Sequence, residues 1–124
     1  MTLKRMDNVG NVVESVDAVI SFFAELGLKL EERAMMVTPD GHSRLEISRF
    51  LTPPAAADHR NAPVNALGYL RIMFAVDDID ETLARLRQRG AQLVGEVVQY
   101  EDAYRLCYIR GPEGLLIGLA QALS

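Results

Sequence analysis

The chain has 124 residues, 49% of them hydrophobic, and a formal net charge of −4. This length and hydrophobic content suffice for one compact core, and the acidic balance argues against a nucleic-acid-binding face. No stretch reaches the roughly 18 apolar residues of a membrane span, and the first residues lack the apolar core of a signal peptide. A single cysteine excludes an internal disulfide. Composition therefore predicts a small cytoplasmic protein with no membrane partner.

Two segments of the chain, residues 8–30 and residues 71–93, align with each other at a constant offset and without a gap. In each, a strand-like apolar run leads directly into a helical pattern, in which apolar residues recur three or four positions apart. Matched residues mark the helix boundaries, with Ser15 and Asp78 at the N-caps and Gly27 and Gly90 at the ends. The sequence thus predicts one structural unit used twice.

Further strand-like segments follow each glycine: residues 29–37 and 44–50 in the first copy, and residues 92–99, 104–110 and 115–120 in the second. The first copy is shorter by about ten residues, which is the length of one strand and its turn. We therefore expect repeat one, about residues 3–50, to lack a strand that repeat two, about residues 67–122, contains. Residues 51–66 are expected to link the repeats within a single domain of residues 1–124.

Three segments carry a family resemblance: residues 6–10, residues 74–79 and residues 108–117, the last of which contains Gly-Pro-Glu-Gly at 111–114. In their order and spacing they resemble the vicinal-oxygen-chelate superfamily, the group of glyoxalases, bleomycin-resistance proteins and extradiol dioxygenases. The resemblance implies an α+β fold, in which tandem βαβββ repeats form a cupped mixed sheet with the helices outside. It also implies dimers or tandem pairs, with a small molecule bound in the cup or in a cleft between protomers.

Metal-dependent members of that family place one ligand on each of four strands, usually a histidine or a carboxylate. The matching positions in this chain hold Asn8, Glu46, Arg71 and Gly118. Arginine and glycine offer no lone pair to a metal ion, and Arg71 adds a permanent positive charge. The resemblance and these departures from it predict a member that has lost its metal and uses no cofactor.

Strand alternation predicts which side chains would line the cup instead. If Arg71 faces the cup, Met73 does so too, and so do Asn8, Glu46 and Gly118. Arg71 then has two interpretations: an ion pair with Glu46, or a fork that grips a ligand carboxylate or phosphate. Three other reactive side chains have no predicted role in the site, because His42 and His59 lie in polar loops and Cys107 lies in mid-strand.

Two functions are compatible with this resemblance. The first is a metal-free binding protein similar to the bleomycin-resistance branch. The second is a glyoxalase- or epimerase-like lyase or isomerase, with Glu46 as general base and Arg71 as the electrophile. We expect the first, because a metal normally stabilises the enolate in that family's chemistry. We also expect a homodimer, since a missing strand would leave an unpaired sheet edge.

Overall fold

The computed structural model describes residues 6–32, 34–56, 62–68 and 70–123. The chain divides into two compact units, residues 1–56 and residues 57–124, and the boundary falls within the predicted linker. Over the described ranges, each unit consists of one helix and one four-stranded mixed sheet. The predicted α+β class and the tandem repeat are therefore confirmed.

Unit one contains β1 (Val9–Val12), α1 (Val16–Glu25), β2 (Lys29–Leu30), β3 (Met35–Val37) and β4 (Arg44–Ser48). Its strand order is β1-β4-β3-β2. The β1–β4 pair is parallel, and the other two pairs are antiparallel. Helix α1 buries Val19, Phe22 and Phe23, and the buried residues Leu45 and Ile47 of β4 share the helix-facing side of the sheet.

Unit two repeats this order with β5 (Arg71–Ala75), α2 (Ile79–Gln88), β6 (Gln92–Tyr100), β7 (Tyr104–Arg110) and β8 (Leu116–Ala122), and a short 3₁₀ turn at Pro112–Gly114. Its strand order is β5-β8-β7-β6, again with one parallel pair, β5–β8. Helix α2 buries Ile79, Leu83 and Leu86. Each sheet thus has one face covered by its helix; the opposite side is called the helix-free face below.

The prediction that repeat one lacks a strand is wrong. Residues 29–37, predicted as one strand, instead form the hairpin of β2 and β3, in which the Glu31 N–H donates to the Met35 carbonyl over 2.8 Å. Strand β2 has only two residues whereas its counterpart β6 has nine, and this shortening accounts for most of the length difference. The turn holds Ala34 at φ 65°, a conformation that is uncommon for alanine and that the sequence therefore does not predict.

The predicted helix boundaries are confirmed. The Ser15 hydroxyl accepts from the Ala18 N–H over 3.3 Å, and the Asp78 carboxylate accepts from the Glu81 N–H over 3.0 Å. Gly27 and Gly90 adopt φ values of 99° and 93°, which end each helix in a left-handed turn that favours glycine. In the part of the chain that is described, neither helix is long and apolar enough to cross a membrane.

Candidate functional site

The predicted site residues fall into two groups. Arg71, Met73 and Gly118 lie in unit two, where β5 pairs with β8 and brings Met73 directly beside Gly118. Asn8 and Glu46 lie in unit one and are both exposed. Asn8 precedes β1, and Glu46 of β4 stands opposite Gly10 of β1. In β4 and β5 the burial pattern agrees with the predicted parity, since the alternate residues Ile72, Phe74, Leu45 and Ile47 are the more buried ones. Gly118 shares the face of Met73 because the two residues are paired.

The side chain of Met73 lies across Gly118. A Cβ atom added to Gly118 would stand 2.7 Å from the Met73 Cε atom, and 3.3 Å from its Cβ and Cγ atoms. The first distance is shorter than real Cβ atoms approach their neighbours, so the glycine is what allows Met73 to lie flat. Met73 therefore fills the space that a metal-coordinating side chain at position 118 would need, while 46% of the surface of Met73 stays exposed.

Arg71 lies over the aromatic ring of Tyr108. Its Cζ atom stands 4.9 Å from the ring centroid, which is a cation–π distance. Tyr108 belongs to β7 and pairs with Gly118 on β8, so Arg71 reaches across β8 to a strand about 10 Å away. A side chain at position 118 would stand beside that path. Because Gly118 has no side chain, it leaves room for Met73 and does not obstruct the Arg71 side chain on its way to Tyr108.

Two arginines of unit two donate hydrogen bonds to residues that precede β5 in the chain. The Arg71 Nη1 atom donates to the Val64 carbonyl over 2.6 Å. Arg110 of β7 donates to the carbonyls of Ala62 and Gly114. The Ala66 N–H donates to the Pro63 carbonyl over 3.0 Å, which closes a turn between these anchors. Residues 62–66 are called the linker turn below, and two arginines hold it against the sheet of unit two.

The residues at the family's ligand positions do not fit a metal ion. Within the described ranges, no group of three or more His, Cys, Asp or Glu side chains is placed to hold one. Position 118 is covered by Met73, and position 71 carries a guanidinium that repels a cation. The Asn8 side-chain amide donates to the Asp7 carboxylate over 3.2 Å. Glu46 alone offers a carboxylate at these positions.

The other singled-out residues lie away from this arrangement. His42 is exposed in a turn where its N–H donates to the Asp40 carboxylate over 2.9 Å. A hydrogen bond from the Thr38 hydroxyl is the main cause that lowers the pKa of Asp40. Cys107 is buried, as predicted, and burial raises the pKa of its thiol. His59 lies outside the described residues.

Sequence reasoning missed the aromatic residues of this face. Tyr108 lies in the segment that carries the family resemblance and shares the parity of Gly118, yet the sequence alone does not assign it to the site. Tyr100 and Tyr104 stack with centroids 5.7 Å apart and an interplanar angle of 9°, and both are exposed. Their pairing across the β6–β7 hairpin was available from the spacing of the two strands. Predicting the position of Tyr108 requires the register of β7 on β8, which no local sequence pattern specifies.

The fold and these residues define an α+β protein of two βαβββ units, in which the described residues at the family's ligand positions do not form a metal-ligand set. Residues 5–119 match the model of the Glyoxalase/Bleomycin resistance protein/Dioxygenase superfamily, and the chain belongs to that superfamily.

Comparison with individual proteins agrees with this assignment. A glyoxalase family protein from Bacillus cereus is 62% identical in sequence, with a TM-score of 0.95 over 100% of this chain and 97% of that one. The uncharacterized protein YwbC of Bacillus subtilis (strain 168) is 28% identical over 118 residues, which cover 90% of this chain and 92% of YwbC. TnmS3, an antibiotic binding protein from Streptomyces sp. CB03234, has a TM-score of 0.71 over 98% of both chains. At 22% identity, that likeness shows a shared fold alone.

Proposed function

We propose that this chain is a metal-free small-molecule-binding protein of the glyoxalase/bleomycin-resistance type, which works in the cytoplasm as a homodimer. The observation that carries the proposal is the packing of Met73 over Gly118 beside Arg71. These side chains leave no room for a ligand set at position 118. They offer an apolar and cationic surface, which suits an organic molecule better than a metal ion.

The exposed side chains of unit two support this proposal. Met73 is joined on the helix-free face by Val98, Tyr100 and Tyr104, all of which keep more than a third of their surface exposed. Large apolar side chains exposed on one sheet face are typical of surfaces that contact a ligand or a partner. The likeness to TnmS3, an antibiotic binding protein, adds that a protein of this fold binds an organic molecule.

The alternative is an enzyme, a glyoxalase- or epimerase-like lyase or isomerase with Glu46 as general base. It is favoured by the exposure of Glu46 opposite Gly10, where no atom of the described residues lies within 4 Å of an added Cβ atom, so a substrate could approach. We place it second because its electrophile would be Arg71, whose Nη1 atom already donates to the Val64 carbonyl.

A thermal-shift screen of a mixed organic library tests the proposal, run once with EDTA and once with divalent metals. We expect one or more compounds to raise the melting temperature equally in both conditions, because binding needs no metal. Glu46→Gln should leave these shifts unchanged. A shift that requires a divalent metal and disappears in Glu46→Gln would overturn the proposal in favour of the enzyme.

The homodimer now depends on the family resemblance, because the strand that was expected to be missing is present. Sedimentation velocity over a hundredfold range of protein concentration is the measurement. We expect a species of twice the chain mass of 13.7 kDa. A chain that stays monomeric at the highest concentration would rule out the dimer and leave the binding proposal to be judged by the screen.

A further inference from the structure

The charge of Arg71 meets only neutral partners among the described residues of unit two. Its contacts there are the Val64 carbonyl and the Tyr108 ring. Arg105, on the opposite side of the same sheet, is paired instead with the Asp80 carboxylate at 2.8 and 3.1 Å. The bond to the Val64 carbonyl has one ionised partner, whereas a carboxylate would add a full negative charge and accept two parallel hydrogen bonds. An anion would therefore gain more from Arg71 than the carbonyl that it now holds.

The orientation of the Arg71 guanidinium is fixed before any ligand arrives. Its Cζ atom lies 4.9 Å from the Tyr108 centroid, and one of its nitrogens is held by the linker turn. A guanidinium carries its N–H donors along the edge of its plane, where a carboxylate accepts two parallel hydrogen bonds. The Val64 carbonyl takes one of the edge positions with a single oxygen. It stands where a ligand oxygen would stand.

We infer that the ligand of this face is an organic carboxylate with an apolar body, and that it binds Arg71 by replacing the Val64 carbonyl. This inference rests on the proposed binding function and names its ligand class. The apolar body would lie on Met73, which is half exposed beside Arg71. A single negative charge fits better than the double charge of a phosphate ester, because the chain carries a net charge of −4 and repels anions at long range.

Exchange of the carbonyl for a carboxylate has a structural consequence. Arg110 still holds the Ala62 carbonyl, so the linker turn stays attached at its first residue and is released at Val64. The hydrogen bond from the Ala66 N–H to the Pro63 carbonyl lies beyond the remaining anchor. We therefore expect the amide of Ala66 to exchange with solvent faster in the complex.

Three probes of one shape and different charge test the ligand class: 2-naphthoate, the neutral 2-naphthamide and the cationic 2-naphthylmethylammonium. Isothermal titration calorimetry compares them on the wild type, on Arg71→Met and on Arg105→Met. The last variant is the matched control, because it removes the same charge from the other side of the same sheet. We expect the wild type and Arg105→Met to bind naphthoate at least about tenfold more tightly than the amide, and Arg71→Met to lose this preference.

Hydrogen–deuterium exchange of the wild type with saturating naphthoate supplies the second readout. Faster exchange at Ala66 supports the replacement of the carbonyl, and unchanged exchange overturns it. If Arg71→Met does not fold, Arg71→Lys takes its place, since lysine keeps the charge and loses the planar fork; it should lower the preference for naphthoate. Equal or tighter binding of the amide or the ammonium probe overturns the ligand class and leaves the binding function standing. If none of the three binds at millimolar concentration, the inference falls, and the proposed function is judged by the thermal-shift screen alone.

Discussion

Substitutions at Gly118 and Met73 test most directly whether the Met73 side chain occupies the space above Gly118. We predict that Gly118→Ala is destabilising in the wild type and becomes neutral or stabilising once Met73 has been shortened to alanine. The reason is steric. The added methyl group would lie 2.7 Å from the Met73 Cε atom, and 3.3 Å from the Cβ and Cγ atoms of that side chain.

The magnitude follows from two opposing terms. Overpacking by one methyl group costs about 1 to 3 kcal/mol, and a half-exposed methionine with a flexible end places this case near the lower limit. Replacing a strand glycine by alanine returns about 0.5 to 1 kcal/mol of backbone entropy. We therefore expect Gly118→Ala to lower the free energy of unfolding by up to about 1 kcal/mol, and Met73→Ala to remove that cost through a coupling energy of about 1 kcal/mol.

Urea denaturation of the wild type, both single variants and the double variant measures this coupling energy directly. In thermal unfolding the same coupling corresponds to about 4 °C for a chain of this size. Gly10→Ala serves as the matched control, since Gly10 is also a strand glycine but no atom of the described part of the chain lies within 4 Å of its added Cβ atom. Additive effects of Gly118→Ala and Met73→Ala would refute the claim that Met73 occupies the space above Gly118.

Three further predictions concern charge, metal and the thiol. The hydrogen bond from Arg105 holds the pKa of Asp80 below its ordinary value of 3.8, so the stability that this pair contributes is present above that value and is lost as the pH falls through the lower folded-state pKa. Asp80→Asn should accordingly be less stable than the wild type at pH 7, and the difference should shrink as the pH falls below 3.8, as judged by urea midpoints. Protein purified without chelators should contain no stoichiometric Zn, Ni, Mn, Fe or Mg by elemental analysis, and one equivalent of metal that is lost in Glu46→Gln would contradict this. Because burial raises the pKa of the Cys107 thiol, a disulfide reagent at pH 8 should label the folded chain far more slowly than the chain in urea, and equal rates would show that the strand opens readily.

The features that could be predicted from the sequence are those that depend on residues close together in the chain. Ser15 and Asp78 mark helix starts because the cap acts within one turn, and Gly27 and Gly90 mark the ends because few other residues adopt a left-handed turn. The face of each strand also followed from simple alternation, which correctly placed Arg71 and Met73 together. These signals do not depend on the rest of the fold.

The features that could not be predicted depend on the register between strands or on turns that contain no typical turn residue. Strand β2 was missed because its hairpin turns at Ala34, with no glycine, proline or asparagine to mark it. Both interpretations of Arg71 omitted the contacts that it makes within unit two. Its bond to Val64 joins two parts of the chain whose approach no spacing specifies, and its position over the Tyr108 ring requires the pairing of three strands.

The same packing explains why one substitution would not create a metal site on this face. A carboxylate placed at position 118 would first have to displace Met73, which lies within 3.3 Å of the required Cβ atom along three of its carbons. Any cation drawn to that carboxylate would meet the guanidinium of Arg71, which is held in place by Tyr108 and the Val64 carbonyl. Removing Arg71 would in turn free the linker turn at Val64. Glycine, methionine and arginine thus depend on one another, and a metal site on this face would require all three positions to change together.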